Sequence, residues 1–163
     1  MGLAERRKIK EIQDNVLPGR VKEIAEICGA EIPYEVDWDS FNDDLQGLNF
    51  MDNISCHRLN MALRVICMDD MGKEAVREGL NLVKLKNVKD KADMSISFDG
   101  GVLEMHCAYA QGTGGMHSDT ASSLMPLRNS SAGVRKCGTS RKPSREETTA
   151  ASSKSLFFAT TGR

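Results

Sequence analysis

The sequence predicts an α+β fold, a four-stranded, mainly antiparallel sheet with helices packed on one face. Three observations carry this expectation. Met94 to Tyr109 has the pattern of a β-hairpin. Two earlier segments, Glu31–Asp39 and Asn81–Val88, alternate apolar and polar residues as half-buried strands do. The stretches around them carry apolar residues at helical spacing. The predicted order is α-α-β-α-α-α-β-β-β.

In the hairpin, Met94, Ile96 and Phe98 alternate with Ser95, Ser97 and Asp99. Asp99-Gly100 suits a two-residue type I′ turn, whose central residues both need positive φ. A turn there sets Phe98 opposite Gly101, Ile96 opposite Leu103, Met94 opposite Met105 and Asp93 opposite His106. Met94, Ile96, Leu103, Met105, Cys107 and Tyr109 then share the buried face, and Ser95, Glu104 and His106 share the other.

From the N-terminus, Leu3–Leu17 is a charged helix with Ile9, Ile12 and Val16 on one stripe. Pro18 is expected to end it and to open a second helix, since proline suits a first helical turn. That helix runs to Cys28 with Val21, Ile24, Ala25 and Cys28 inward, and Gly29 caps it. In the first strand Ile32, Tyr34, Val36 and Trp38 point inward, while Pro33, Glu35, Asp37 and Asp39 point outward; Pro33 places this strand at an edge or a strand start. Ser40-Phe-Asn-Asp43 resembles a capping box ahead of a short helix to Asn49. The longest helix, 53–68, places Cys56, Leu59, Ala62, Leu63, Ile66 and Cys67 on its core face. A shorter helix covers 73–80. In the next strand Val83 and Leu85 face in, and Lys84 and Lys86 face out. The acidic strip of Glu35 and Asp37 complements those lysines, which predicts that the two strands are neighbours.

After Gln111 the composition changes. Residues 112–163 are about one-third Ser and Thr, with few apolar residues. Such a segment buries too little to offset its ordering entropy. The expected organisation is a compact domain over 1–111 and a disordered tail over 112–163. Gly112-Thr-Gly-Gly115 follows a strand but lacks the Lys-Ser/Thr of a phosphate loop, so it reads as an exit from the domain.

The net charge of −1 is unevenly spread: 14 basic and 20 acidic residues lie in 1–111, and 8 basic and 3 acidic beyond. An acidic body argues against a nucleic-acid groove. No apolar run reaches the length of a membrane span, which argues against a membrane protein. The charged N-terminus lacks a secretory pattern, and five cysteines without framework spacing point to a reducing, cytoplasmic setting.

Several residues could carry chemistry. Cys56-His57 and His106-Cys107 together hold two thiols and two imidazoles, a zinc-like set. Neighbouring residues on a helix or strand diverge, so Cys56 and Cys107 read as core thiols and no metal or cofactor is expected. His106 with Asp93 could form a His–carboxylate pair for general-base work, with His57 as a further candidate. Between Glu23 and His57 there are nine acids and no Lys or Arg. Met61, Met68, Met71, Met94 and Met105 suit either core filling or a permissive binding groove. The expected function is that of a small non-catalytic binding module. It would meet a protein partner, or a second copy of itself, through the acidic sheet face around Glu35, Asp37 and Asp39 or through an exposed edge strand. The alternative is an enzyme or metal protein centred on His106 and His57.

Overall fold

The computed structural model describes residues 2–115 together with His117, Thr120, Ser123 and Leu124. Along the chain, α1 (Leu3–Glu11) and α2 (Leu17–Cys28) precede β1 (Tyr34–Val36). Helices α3 (Leu45–Met51), α4 (Arg58–Ile66) and α5 (Asp70–Gly79) follow, and then β2 (Leu82–Asn87), β3 (Ser95–Asp99) and β4 (Val102–Cys107). Four of the expected features are corrected.

The sheet is mixed, not mainly antiparallel. Its spatial order is β1-β2-β4-β3, with β1 parallel to β2, β2 parallel to β4, and only β3–β4 antiparallel. The physical reason lies in the connections. Three helices separate β1 from β2, and a helical crossover of that length returns the chain in its original direction. The loop after β2 carries β3 to the far edge, and the hairpin then folds β4 back into the gap beside β2. The sheet is a parallel core with an antiparallel edge strand, a common mixed form.

The hairpin register is displaced by two residues. Gly100 and Gly101, at φ +55° and +83°, form the turn, so Asp99 pairs with Val102, Phe98 with Leu103, Ile96 with Met105 and Ser95 with His106. An even displacement leaves every side chain on its original face. Leu103, Met105 and Cys107 are buried, with Ile96 and Phe98 packed against them.

Pro18 does not end the first helix. The chain stays helical from Leu3 to Cys28 because the wider π turn Ile12–Val16 precedes the proline. Extra turns of this kind are one of the ways a helix accommodates a disrupted hydrogen-bond ladder. A second π turn, Asp52–His57, joins α3 to α4. The capping box is also displaced: Asp44 caps α3 through Gly47 N–H at 2.7 Å. Ser40 lies instead in a 3₁₀ turn, Trp38–Phe41, where its amide bonds the Asp37 carboxylate.

The core lies between the helices and the face of the sheet that carries Val83, Leu85, Leu103 and Met105. From α4 and its approach come Cys56, Leu59, Leu63 and Ile66, and from the π turn before α2 and from α2 itself come Ile12, Ile24 and Cys28. Of the methionines singled out above, Met105 is buried, while Met61, Met68 and Met71 are exposed. The 3₁₀ turn Tyr109–Gly115 packs against α3, with Gly115 O accepting from Ala108 N–H. The tail from 112 onward otherwise falls almost wholly outside the described residues. No helix among the described residues is long and apolar enough to cross a membrane.

Candidate functional site

Strand β1 is an edge of the sheet, with β2 on one side and no strand on the other among the described residues. Two hydrogen bonds fix the phase of its backbone. Pro33 O accepts from Val83 N–H at 3.1 Å, and Asp37 N–H donates to Leu85 O at 2.9 Å. Backbone groups alternate direction along a strand. The odd-numbered residues therefore bond β2, and the N–H and C=O of Tyr34 and Val36 point to the open edge. Pro33, which has no N–H, lies just before β1, where β2 needs only its carbonyl, which is the strand-start placement of the two expected for it.

A cavity of about 580 Å³ runs beside this edge. One wall is the start of α2, with Leu17, Pro18, Val21 and Lys22; the other is Pro33, Tyr34, Val36 and Trp38. Trp38, the only tryptophan in the chain, is half-buried there.

Beneath Tyr34 lies a polar network that holds α2 against α4. Arg20 donates two bonds to the Asp52 carboxylate, at 2.7 and 2.8 Å, and one to Glu23 at 2.8 Å. Glu23 also accepts from Asn60 at 2.7 Å and from Arg64 at 2.9 Å, and Tyr34 OH donates to Asn60 Oδ1 at 3.3 Å. The Arg64 hydrogen bond is the largest influence on the Glu23 carboxyl; with Asn60 and Arg20, and against the opposing effect of burial, it brings the group down to about 2. Opposite the carboxylates, the Arg20 guanidinium is held more firmly protonated than usual, chiefly by its bonds to Asp52. Because the folded pKa of Glu23 lies below its ordinary value near 4.5, its contribution is complete above pH 4.5 and fades as pH falls toward 2. Glu23 is about one-quarter exposed, so screening limits that contribution to about 1–2 kcal/mol. Glu23→Gln is expected to lose that amount in urea unfolding at pH 7 and to match the wild type near pH 2. An equal loss at both pH values would contradict this account.

The solvent face of the sheet holds the second candidate. Glu35, Lys84, Glu104 and Ser97 form one row across the strands, and Lys86, His106 and Ser95 the next. A cavity of about 400 Å³ on this face is lined by Glu35, Asp37, Lys84, Lys86, Glu104 and His106. The expected adjacency of the acidic and basic strips is realised, with Glu35 opposite Lys84 and an ion pair at 3.5 Å. The face is thus mixed in charge, with the acids of β1 beside the lysines of β2. Asp37 accepts the amide of Ser40, and Asp39 is exposed in the following turn.

His106 does not meet Asp93. The two-residue displacement of the hairpin sets Ser95 opposite it, and Ser95 Oγ lies 3.0 Å from His106 Nδ1. Asp93 is exposed in a short turn before β3. His57 is exposed on the π turn leading into α4, on the helix side of the sheet, whereas His106 is on the solvent side. Cys56 and Cys107 are both buried. Burial is the main influence raising the Cys56 thiol, and it raises that of Cys107 against opposing hydrogen bonds from Ser55 and Tyr109. No group of three or more His, Cys, Asp or Glu side chains suited to a metal ion occurs among the described residues. The groove and the Arg20–Glu23 network were missed in the sequence, where their parts lie tens of residues apart. The acid-rich run from Glu23 to His57 was the one visible signal.

The chain matches no protein-family model, and neither a curated protein nor a solved structure resembles it at a significant level.

Proposed function

We propose that this protein is a non-catalytic binding module of the reducing cytoplasm that takes up an extended, basic segment of a partner protein along the β1 edge. The observation that carries the reading is the outward-facing backbone of Tyr34 and Val36 beside the α2–β1 groove. An added strand satisfies those N–H and C=O groups by β-augmentation. Its side chains then alternate. One set enters the groove against Leu17, Val21 and Trp38. The other emerges beside the exposed acids Glu35, Asp37 and Asp39, with Glu31 also near the edge. The favoured ligand alternates aliphatic and basic residues. Nucleic acid fits this surface poorly, because the acids would repel phosphate.

Trp38 provides the readout. A synthetic peptide of alternating Val and Lys is expected to change its emission saturably. The same peptide with N-methylated amides at alternate positions should lose binding, because its donors to the edge are gone. Reversing Glu35 and Asp39 to Lys is expected to weaken binding at least tenfold, about 1.4 kcal/mol. Asp37 is left intact in that variant because its carboxylate caps the Trp38–Phe41 turn. Undiminished affinity in both the methylated peptide and the charge-reversed protein would refute the reading.

A further inference from the structure

Four buried free cysteines are described, and two of them touch. Cys28, at the C-terminal end of α2, and Cys67, just after α4, have their sulfurs 2.9 Å apart in a thiol–thiol hydrogen bond. They are 39 positions apart in sequence, so their meeting is a product of the fold. The other two lie in different settings: Cys107 is beside the Ser55 hydroxyl at 3.7 Å, and Cys56 is enclosed near Tyr34. The fifth cysteine, Cys137, lies outside the described residues.

We propose that Cys28 and Cys67 form a redox modification site, closing reversibly into an intramolecular disulfide when the protein meets hydrogen peroxide. The sulfurs need approach by only about 0.9 Å to reach bonding distance, a movement within reach of small side-chain rotations. The roles follow from exposure and charge. Cys67 is 5% exposed and Cys28 fully enclosed, so Cys67 is the thiol that peroxide reaches first. Its thiolate is favoured first by the hydrogen bond from Cys28 and then by the nearby charge of Lys73, against the cost of burial and the opposing charge of Asp69. Thiolate character and access together select the attacking sulfur.

The chemistry is a two-electron oxidation. The Cys67 thiolate attacks one peroxide oxygen; an S–O bond forms, the O–O bond breaks, and the departing hydroxide takes up a proton as water. The Cys28 sulfur then attacks the Cys67 sulfenic acid. The S–S bond forms, the S–O bond breaks, and the leaving hydroxide carries the Cys28 proton away as a second water. Two thiols are oxidised and one peroxide is reduced to two waters. A dithiol reductant reverses the change by thiol–disulfide exchange. The bond closes a long loop and joins α2 to the α4–α5 corner, so the oxidised protein is the more stable form.

This site is independent of the peptide-binding reading. The full-length reduced protein is treated with equimolar hydrogen peroxide and examined by intact mass and by mapping of cross-linked peptides after double proteolysis. The expected result is a loss of about 2 Da, a Cys28–Cys67 linkage, full return with dithiothreitol, and a melting temperature several degrees higher in the oxidised form. Cys28→Ala and Cys67→Ala should each abolish the mass loss, whereas Cys56→Ala should retain it. The wild-type map alone decides the question if a variant folds poorly. A linkage through other cysteines, a disulfide-linked dimer, or oxygen addition to the sulfurs without Cys28–Cys67 closure overturns the proposal.

Discussion

Gly72→Ala is expected to destabilise the protein by about 2–3 kcal/mol, seen as a lower urea midpoint with an unchanged slope. Intrinsic helix preference argues the other way, since Ala exceeds Gly by about 1 kcal/mol inside a helix. Sterics decide the sign. A β-carbon on Gly72 would overlap the carbonyl oxygen of Ile66 and stand 2.9 Å from its carbonyl carbon. These are backbone atoms at the end of α4, so no side chain can swing aside to make room. Gly72 is further held by the Asp69 carboxylate, which accepts its amide at 2.7 Å and caps α5. Gly19 supplies the control. It lies in α2 with nothing within 4 Å of an added β-carbon, so Gly19→Ala should be neutral or stabilising by about 0.5–1 kcal/mol. The same chemical change is thus expected to act with opposite sign at two helical positions. Equal effects at both would show that the approach of α5 to α4 is looser than described.

The second large effect concerns the pair Ser55 and Tyr109. Their oxygens lie 2.6 Å apart and both residues are fully buried. The Tyr109 ring packs on Phe41 with ring centres 5.3 Å apart, so its position is set by packing as well as by the hydrogen bond. Ser55→Ala leaves the phenol, and Tyr109→Phe the serine hydroxyl, with only the adjacent Cys107 thiol, a weak hydrogen-bonding partner. Each single change is expected to cost about 1–3 kcal/mol, the penalty for a buried polar group that has lost its partner. Joining both changes removes donor and acceptor together. The double variant should therefore be closer to wild type than the sum of the singles, with a coupling of about 1–2 kcal/mol in urea unfolding. Strict additivity would mean that the hydroxyls do not depend on one another.

What the sequence reveals, and what it hides, divides along a physical line. Burial alternation is local, so Val83 and Leu85 against Lys84 and Lys86 could be read directly, as could the core stripe of Leu59, Leu63 and Ile66. Strand direction is not local. Nothing in Tyr34–Val36 states that three helices will return β2 parallel to it. The hairpin illustrates a subtler limit. Asp99-Gly100 and Gly100-Gly101 both tolerate positive φ, and the two registers differ by an even number, so the hydrophobic pattern is satisfied by either. That ambiguity alone moved the partner of His106 from Asp93 to Ser95. The candidate sites were hidden for a related reason. Arg20 and Asp52, or Cys28 and Cys67, are ordinary residues on their own helices and acquire meaning only when the helices pack. Pro33, by contrast, narrowed its segment in advance to an edge or a strand start, and it lies immediately before Tyr34 at the start of β1.

The strand order also bears on how the chain matures during synthesis. β4 emerges last of the four strands, yet it lies between β2 and β3. Until it arrives, β2 has an unpaired margin and β3 has nothing to hydrogen-bond with. The nascent polypeptide therefore passes through an interval with the parallel core half built, and a chain that stops at Gly101 lacks one of the two inner strands of its sheet. Completion awaits the passage of Cys107, when a single hairpin closes both gaps together.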